Sequence, residues 1–181
     1  MMKKISILLL TLIGISFAQS PQILTDEKTG NPMLIGLSHR SDYTASEHFN
    51  EWFNEEYVNY EVEEEILSTI NNSDTLITLE CFMGTWCSDS RREVPRIYKI
   101  LDYLDFDENN FIIVSLNRNK QSPGKEEIGK NIHHVPTLIV YKNKNEIGRI
   151  IESPIHSLEE DFADILMGIP PIPNYADFEE E

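Results

Sequence analysis

Only two cysteines, Cys81 and Cys87, occur in the 181 residues, so at most one bridge is available and a small disulfide-stapled scaffold is excluded. Cations are scarce as well. Fifteen Lys and Arg stand against 31 Asp and Glu, for a formal charge of −16. Such a surface repels phosphate backbones and anionic membranes, which argues against nucleic-acid work. Internal repeats are absent. Long apolar runs are missing too, apart from Ile5 to Phe17 behind the basic start Met1-Met2-Lys3-Lys4. That run falls short of the roughly 20 residues a spanning helix needs. With its small-residue end at Ser16-Phe17-Ala18, it predicts a signal peptide over 1–18 and hence a secreted or periplasmic protein with no stable membrane anchor. No cysteine follows the run, so no lipoprotein anchor is offered.

What is left suffices for one core of ordinary size but scarcely for two domains. Residues 19–45 lack a clear period and carry turn signals from Lys28 to Pro32, which predicts an extended lead-in with one short strand at Met33–Leu37. A helix is predicted from Ser46 as N-cap, with Phe49, Trp52, Phe53 and Tyr57 on one face; a second helical pattern through Val62, Ile66, Leu67 and Ile70 runs to the break at 71–74. Thr75 to Met83 is apolar on both faces, as a doubly covered central strand is. Glu80 interrupts it, and its carboxylate is turned to an edge, held protonated by burial or, the favoured reading, paired with a cation.

The rest of the chain predicts a helix over Ser88–Leu104, a buried strand at Phe111–Leu116 and a short helix ending near Lys130. A hairpin follows, Thr137–Tyr141 and Glu146–Glu152 about the polar turn 142–145. The last helix covers Ser157–Met167, and Pro170, Pro171 and Pro173 close it. This order predicts an α/β sandwich, a central mixed sheet flanked by helices. Its divisions are an N-terminal helical extension at 19–74, a core at 75–168, and a loosely ordered, Pro-rich acidic tail at 169–181. The acidic runs Glu47–Glu65 and Asp177–Glu181 read as solvated faces.

The residues that carry chemistry are Gly84-Thr85-Trp86-Cys87-Ser88-Asp89-Ser90, where the central strand ends and a helix starts. A thiol at a helix start meets unsatisfied backbone N–H groups and the positive end of the dipole, which makes Cys87 a candidate nucleophile. A buried, inert cysteine at a strand end is the plainer alternative. Ser90 either bonds the Cys87 sulfur through its hydroxyl or satisfies backbone donors at the helix start. Trp86 is a platform over the site or a core residue. His133 and His134 stand near the site, but adjacent histidines in an extended segment point apart and do not suit a metal pair.

These residues resemble the thioredoxin family. Trp86-Cys87-x-x-Ser90 is similar to that family's Trp-Cys-x-x-Cys with the second cysteine replaced. Pro95 matches the proline within the active-site helix, and Val135-Pro136-Thr137 resembles the cis-proline segment beside the reactive thiol. The resemblance covers roughly Thr75 to Leu166, about half the chain. It implies a thioredoxin-like fold, a catalytic role for Cys87 with Ser90 at the resolving position, and binding roles for Trp86, Asp89, Val135 and Pro136. The departures matter. With Ser90 in place of cysteine, no thiol three residues on releases a mixed disulfide formed at Cys87. Asp89 replaces the usual proline and places a carboxylate against the sulfur, which Arg91 and Arg92 offset. Cys81 occupies the place of a buried acid and is either a small core residue or a hidden resolving thiol.

The function expected is thiol–disulfide exchange through a single nucleophilic Cys87, with protein or small-molecule thiols and disulfides as partners and no cofactor or metal implied. A redox-inactive binding module that uses the groove beside Pro136 is the alternative. Peroxidase chemistry fits less well, because the motif itself supplies no base to the sulfur while Asp89 opposes ionisation.

Overall fold

A computed structural model of the chain describes residues 20–70 and 77–176. The predicted signal peptide, the break at 71–74, the first two residues of the predicted central strand and the acidic end from Asp177 lie outside the described residues. Six strands form one mixed sheet: β1 (Gln22–Thr25), β2 (Pro32–Ser38), β3 (Ile77–Met83), β4 (Phe111–Ser115), β5 (Thr137–Lys142) and β6 (Asn145–Ile151). Their spatial order is β1-β2-β4-β3-β5-β6. Only β3 and β4 run parallel, and every other neighbouring pair is antiparallel. A parallel pair needs a crossover, which is α4 (Ser88–Tyr103). The other helices are α1 (Arg40–Thr44), α2 (Asn50–Asn59), α3 (Glu64–Leu67) and α5 (Leu158–Met167).

Strand β3 is central because its side chains are apolar to both sides. Leu79, Cys81 and Met83 face a large cluster to which all five helices contribute, including Tyr43, Phe53, Leu67, Ile97 and Phe162. Phe82 faces a smaller one with Val114, Leu116, Ile132, Val135 and Ile139. That second face is covered by the irregular segment 116–136 and not by the predicted helix ending near Lys130. The residues there form turns, with Pro123 and Gly124 adjacent and left-handed backbone at Lys120, Lys125, Gly129 and Asn131; a helix cannot run through such a series. Glu80, on the same face, has its expected partner: Lys130 Nζ lies 2.5 Å from Oε2 and the Tyr141 hydroxyl 3.1 Å away.

The N-terminal lead-in contributes two strands to this sheet, one more than its sequence predicts. All four residues of β1 are exposed, so no alternation marks it as a strand. The β1–β2 turn is built on buried Asp26, whose carboxylate accepts the Lys28 amide and the Thr29 hydroxyl, with Gly30 left-handed at φ 76°. Strand β2 then reaches β4 through Gly36 to Ser38.

Helix α2 starts at Asn50 and not at Ser46. Ser46 instead opens a turn in which its hydroxyl accepts the His48 amide at 3.2 Å, and α1 stands as a separate helix before it. The predicted aromatic face is there nonetheless: Phe53 stacks on Tyr43, ring centres 5.7 Å apart, and tilts against Tyr98 at 5.6 Å.

The hairpin of β5 and β6 turns on Asn143 and Lys144, both left-handed at φ 53° and 67°, as a two-residue connection requires. Ser157 caps α5 by accepting the Glu160 amide at 3.1 Å, and Gly168 ends it at φ 82°. Beyond it the described part of the tail touches the body of the protein. Asn174 donates to the Ser153 carbonyl at 3.0 Å and Tyr175 stacks on His134, ring centres 3.9 Å apart. Among the described residues no helix is long and apolar enough to cross a membrane.

Candidate functional site

β3 and β4 are parallel, so the segments leaving their C-terminal ends meet at one edge of the sheet. Gly84 to Cys87 leaves β3 there. The loop is tied on three sides: Thr85 Oγ1 accepts the Leu34 amide of β2 at 3.0 Å, the Cys87 amide donates to the Gly84 carbonyl at 2.9 Å, and Trp86 Nε1 donates to the Leu116 carbonyl beyond β4 at 2.9 Å. Gly84 has no room for a side chain, because a Cβ there would stand 2.6 Å from the Trp86 ring.

Cys87 is the N-cap residue of α4 and is partly exposed. Its thiol donates to the Val135 carbonyl at 3.1 Å, and the Val135–Pro136 peptide is cis. The two segments that the sequence singled out are thus in contact, with Cys87 against the carbonyl that precedes Pro136. Asp89 stands by the sulfur, its Oδ2 4.0 Å from Sγ. Arg92 pairs with Asp89 at 2.9 Å, as expected, whereas Arg91 turns away and donates to the Thr85 carbonyl.

Ser90 does not bond the Cys87 sulfur. It is fully buried, and its hydroxyl accepts the Gly84 amide at 3.1 Å, so of the two readings it takes the second, a backbone acceptor at the helix start. Pro95 lies within α4 and is buried.

Cys81 lies on β3 opposite Ile113 and Leu138, with no measurable exposure. Burial pushes its thiol up to about 12, so it is protonated at any ordinary pH. Both cysteines are free.

Two features of the site have no counterpart in the motif. Arg118 lies over the Trp86 ring, 4.8 Å from its centre, and is held there by Asp26, whose two oxygens each accept a guanidinium N–H at 2.7 Å. The Arg118 bond holds the Asp26 carboxyl well below the usual carboxylate range. In turn the Asp26 bond raises the Arg118 pKa against the opposing effect of desolvation, and the nearby Cys87 sulfur adds to the rise. The signal for Arg118 was topological: it follows a strand parallel to β3 and so arrives at the same sheet edge. Asp26 carries no such signal, because β1 is not legible as a strand.

The second feature is the ring pair beside Pro136. His134 Nδ1 and Glu152 Oε1 are 2.9 Å apart, and Tyr175 lies flat on the imidazole, inclined by 9°. Among the described residues no group of three or more His, Cys, Asp or Glu is placed to hold a metal ion.

The arrangement therefore defines a class: a mixed α/β protein with one partly exposed thiol between a strand end, a helix start and a cis X–Pro carbonyl. No family model matches the chain, and no curated protein matches it.

Proposed function

We propose that the chain is a thioredoxin-like protein that carries out thiol–disulfide exchange through Cys87 alone, exported by its N-terminal signal to the periplasm or cell exterior, where disulfides persist. The observation that carries this reading is the 3.1 Å contact between the Cys87 thiol and the Val135 carbonyl at a cis proline, the pair of segments on which the family resemblance rests. The order β3-α4-β4-β5-β6-α5 supports a thioredoxin-like core, and β1, β2 and the helices between β2 and β3 are additions to it.

In the reaction, the Cys87 thiolate attacks one sulfur of a disulfide. A new S–S bond forms at Cys87, the old one breaks, and the leaving sulfur departs as a thiolate that takes up a proton. A second, external thiol, as its thiolate, then attacks the substrate sulfur of the adduct: a disulfide forms between the two, the bond to Cys87 breaks, and Cys87 leaves as a thiolate. Cys81 is too deeply buried and too firmly protonated to act in its place. Protein or small-molecule thiols and disulfides are the partners.

The alternative, a binding module that uses the groove beside Pro136 without turnover, is favoured by one observation, the Asp89 carboxylate 4.0 Å from Sγ. One experiment separates the two. On incubation with glutathione disulfide near neutral pH, the purified protein is expected to gain one glutathionyl adduct that persists until dithiothreitol is added, and Cys87→Ser to gain none. If wild type gains no adduct under conditions that label the unfolded chain, the binding module stands instead.

A further inference from the structure

Arginines in this acidic chain are almost all paired with carboxylates: Arg40 with Asp102, Arg92 with Asp89, Arg96 with Glu56, Arg118 with Asp26 and Arg149 with Glu146. Arg91 is the exception among the described residues. Its Nε donates to the Thr85 carbonyl and its guanidinium lies 5.8 Å from the centre of the Trp52 ring, which leaves both terminal nitrogens without a carboxylate. An arginine left unpaired among 31 acidic residues needs a reason.

Arg91 lines an open groove of about 540 Å³ between α2 and the start of α4, together with Trp52, Glu55, Asn59, Trp86 and Ser88. Trp86 and Ser88, the chain neighbours of Cys87, both line it, so the groove runs up to the backbone on either side of Cys87, whose sulfur itself faces the Val135 carbonyl. Two further charges on its walls are already compensated, Glu56 by Arg96 and Arg92 by Asp89. Glu55, on the α2 wall, has no cationic partner among the described residues, and it does not reach Arg91 on the α4 wall. The groove thus holds one uncompensated charge of each sign on opposite sides, with two indole rings among its lining.

We propose that this groove takes the amino-acid end of a cysteine-type small thiol or disulfide, with its α-carboxylate on the terminal nitrogens of Arg91 and its α-ammonium toward Glu55. The proposal rests on the exchange reading of Cys87. A guanidinium whose Nε is already engaged still presents two parallel N–H donors from its end, the geometry a carboxylate accepts. The acidic surface slows the approach of a ligand with net negative charge relative to a zwitterion without preventing its reaction. The ligand's methylene lies against the indoles and its sulfur reaches Cys87. With cystine, Cys87 displaces one cysteine: the cystine S–S bond breaks, the Cys87–cysteine bond forms, the proton lost by Cys87 passes to solvent, and the released thiolate takes one up, with no net oxidation.

Cystine and cystamine differ only by the two carboxylates, so the ratio of their rates of adduct formation at Cys87 reads the Arg91 contact directly. Arg91→Gln is expected to lower the cystine-to-cystamine ratio about tenfold, the loss of one charge-assisted pair, and Arg91→Lys to restore part of it. An unchanged ratio overturns the assignment. S-methylcysteine, which cannot exchange, supplies a second readout through tryptophan fluorescence, because the chain's only two tryptophans both line the groove. An Arg91-dependent fluorescence change with no adduct from either disulfide keeps the groove and removes the exchange reading. The absence of any fluorescence change at millimolar S-methylcysteine overturns the groove.

Discussion

Ser90→Cys is expected to shorten the lifetime of Cys87 mixed disulfides roughly a hundredfold relative to release by millimolar external thiol, since a thiol held one helical turn away attacks at a far higher effective concentration. Ser90 is buried at the start of α4 and its hydroxyl bonds the Gly84 amide in the loop that leads to Cys87, so the introduced thiol starts three residues from the adduct. Its cost is the Gly84 amide, which loses a hydroxyl acceptor for a weaker sulfur one, about 1 kcal/mol of stability. The check is a mass-spectrometric time course of adduct decay in wild type and variant. Equal decay rates would mean that another group already resolves the adduct in wild type, and the single-thiol account would fall.

Phe53→Ala is expected to cost about 3–5 kcal/mol, the range for removing a fully buried aromatic ring. Phe53 is 1% exposed and joins Tyr43, Trp52 and Tyr98 in one ring cluster. Tyr43 in turn donates to or accepts from the Ser115 hydroxyl at 2.8 Å, at the end of β4. The helices before β3 are therefore part of the same core as the sheet that positions Cys87. Urea unfolding measures this directly. A loss below about 1 kcal/mol, the scale of a surface change, would mean that they are an appendage.

Periodicity made the central elements legible. β3 is apolar on both faces apart from Thr78 and Glu80, α4 has its apolar residues at helical spacing, and the polar turn of the last hairpin separates two alternating runs. Each signal is local, and each element falls within a residue or two of its predicted bounds. What escaped the sequence depends on contacts between distant segments. β1 has no buried residue, and its register comes from pairing with β2. The turns at 117–131 cover a sheet face without a helix, because Ile132 and Val135 supply the apolar cover that a helix would otherwise bring.

The site divides the same way. Cys87, Trp86, Asp89, Ser90, Val135 and Pro136 are all legible in the sequence, and the fold brings the two segments that carry them into contact. Arg118 and its anchor Asp26 are not, since their roles exist only once β1, β2 and β4 lie side by side. Tyr175 escaped for a related reason. A proline-rich end reads as loose until the His134 ring is known to lie beneath it.

The central claim is that Cys87 acts without a second thiol, and the most direct test is a peptide map of the purified protein under non-reducing conditions after oxidation with diamide and glutathione. Glutathione on Cys87, an unmodified thiol at Cys81 and no peptide joining the two is the expected result. A Cys81–Cys87 crosslinked peptide as the main product would contradict it and make the protein a two-cysteine redox enzyme.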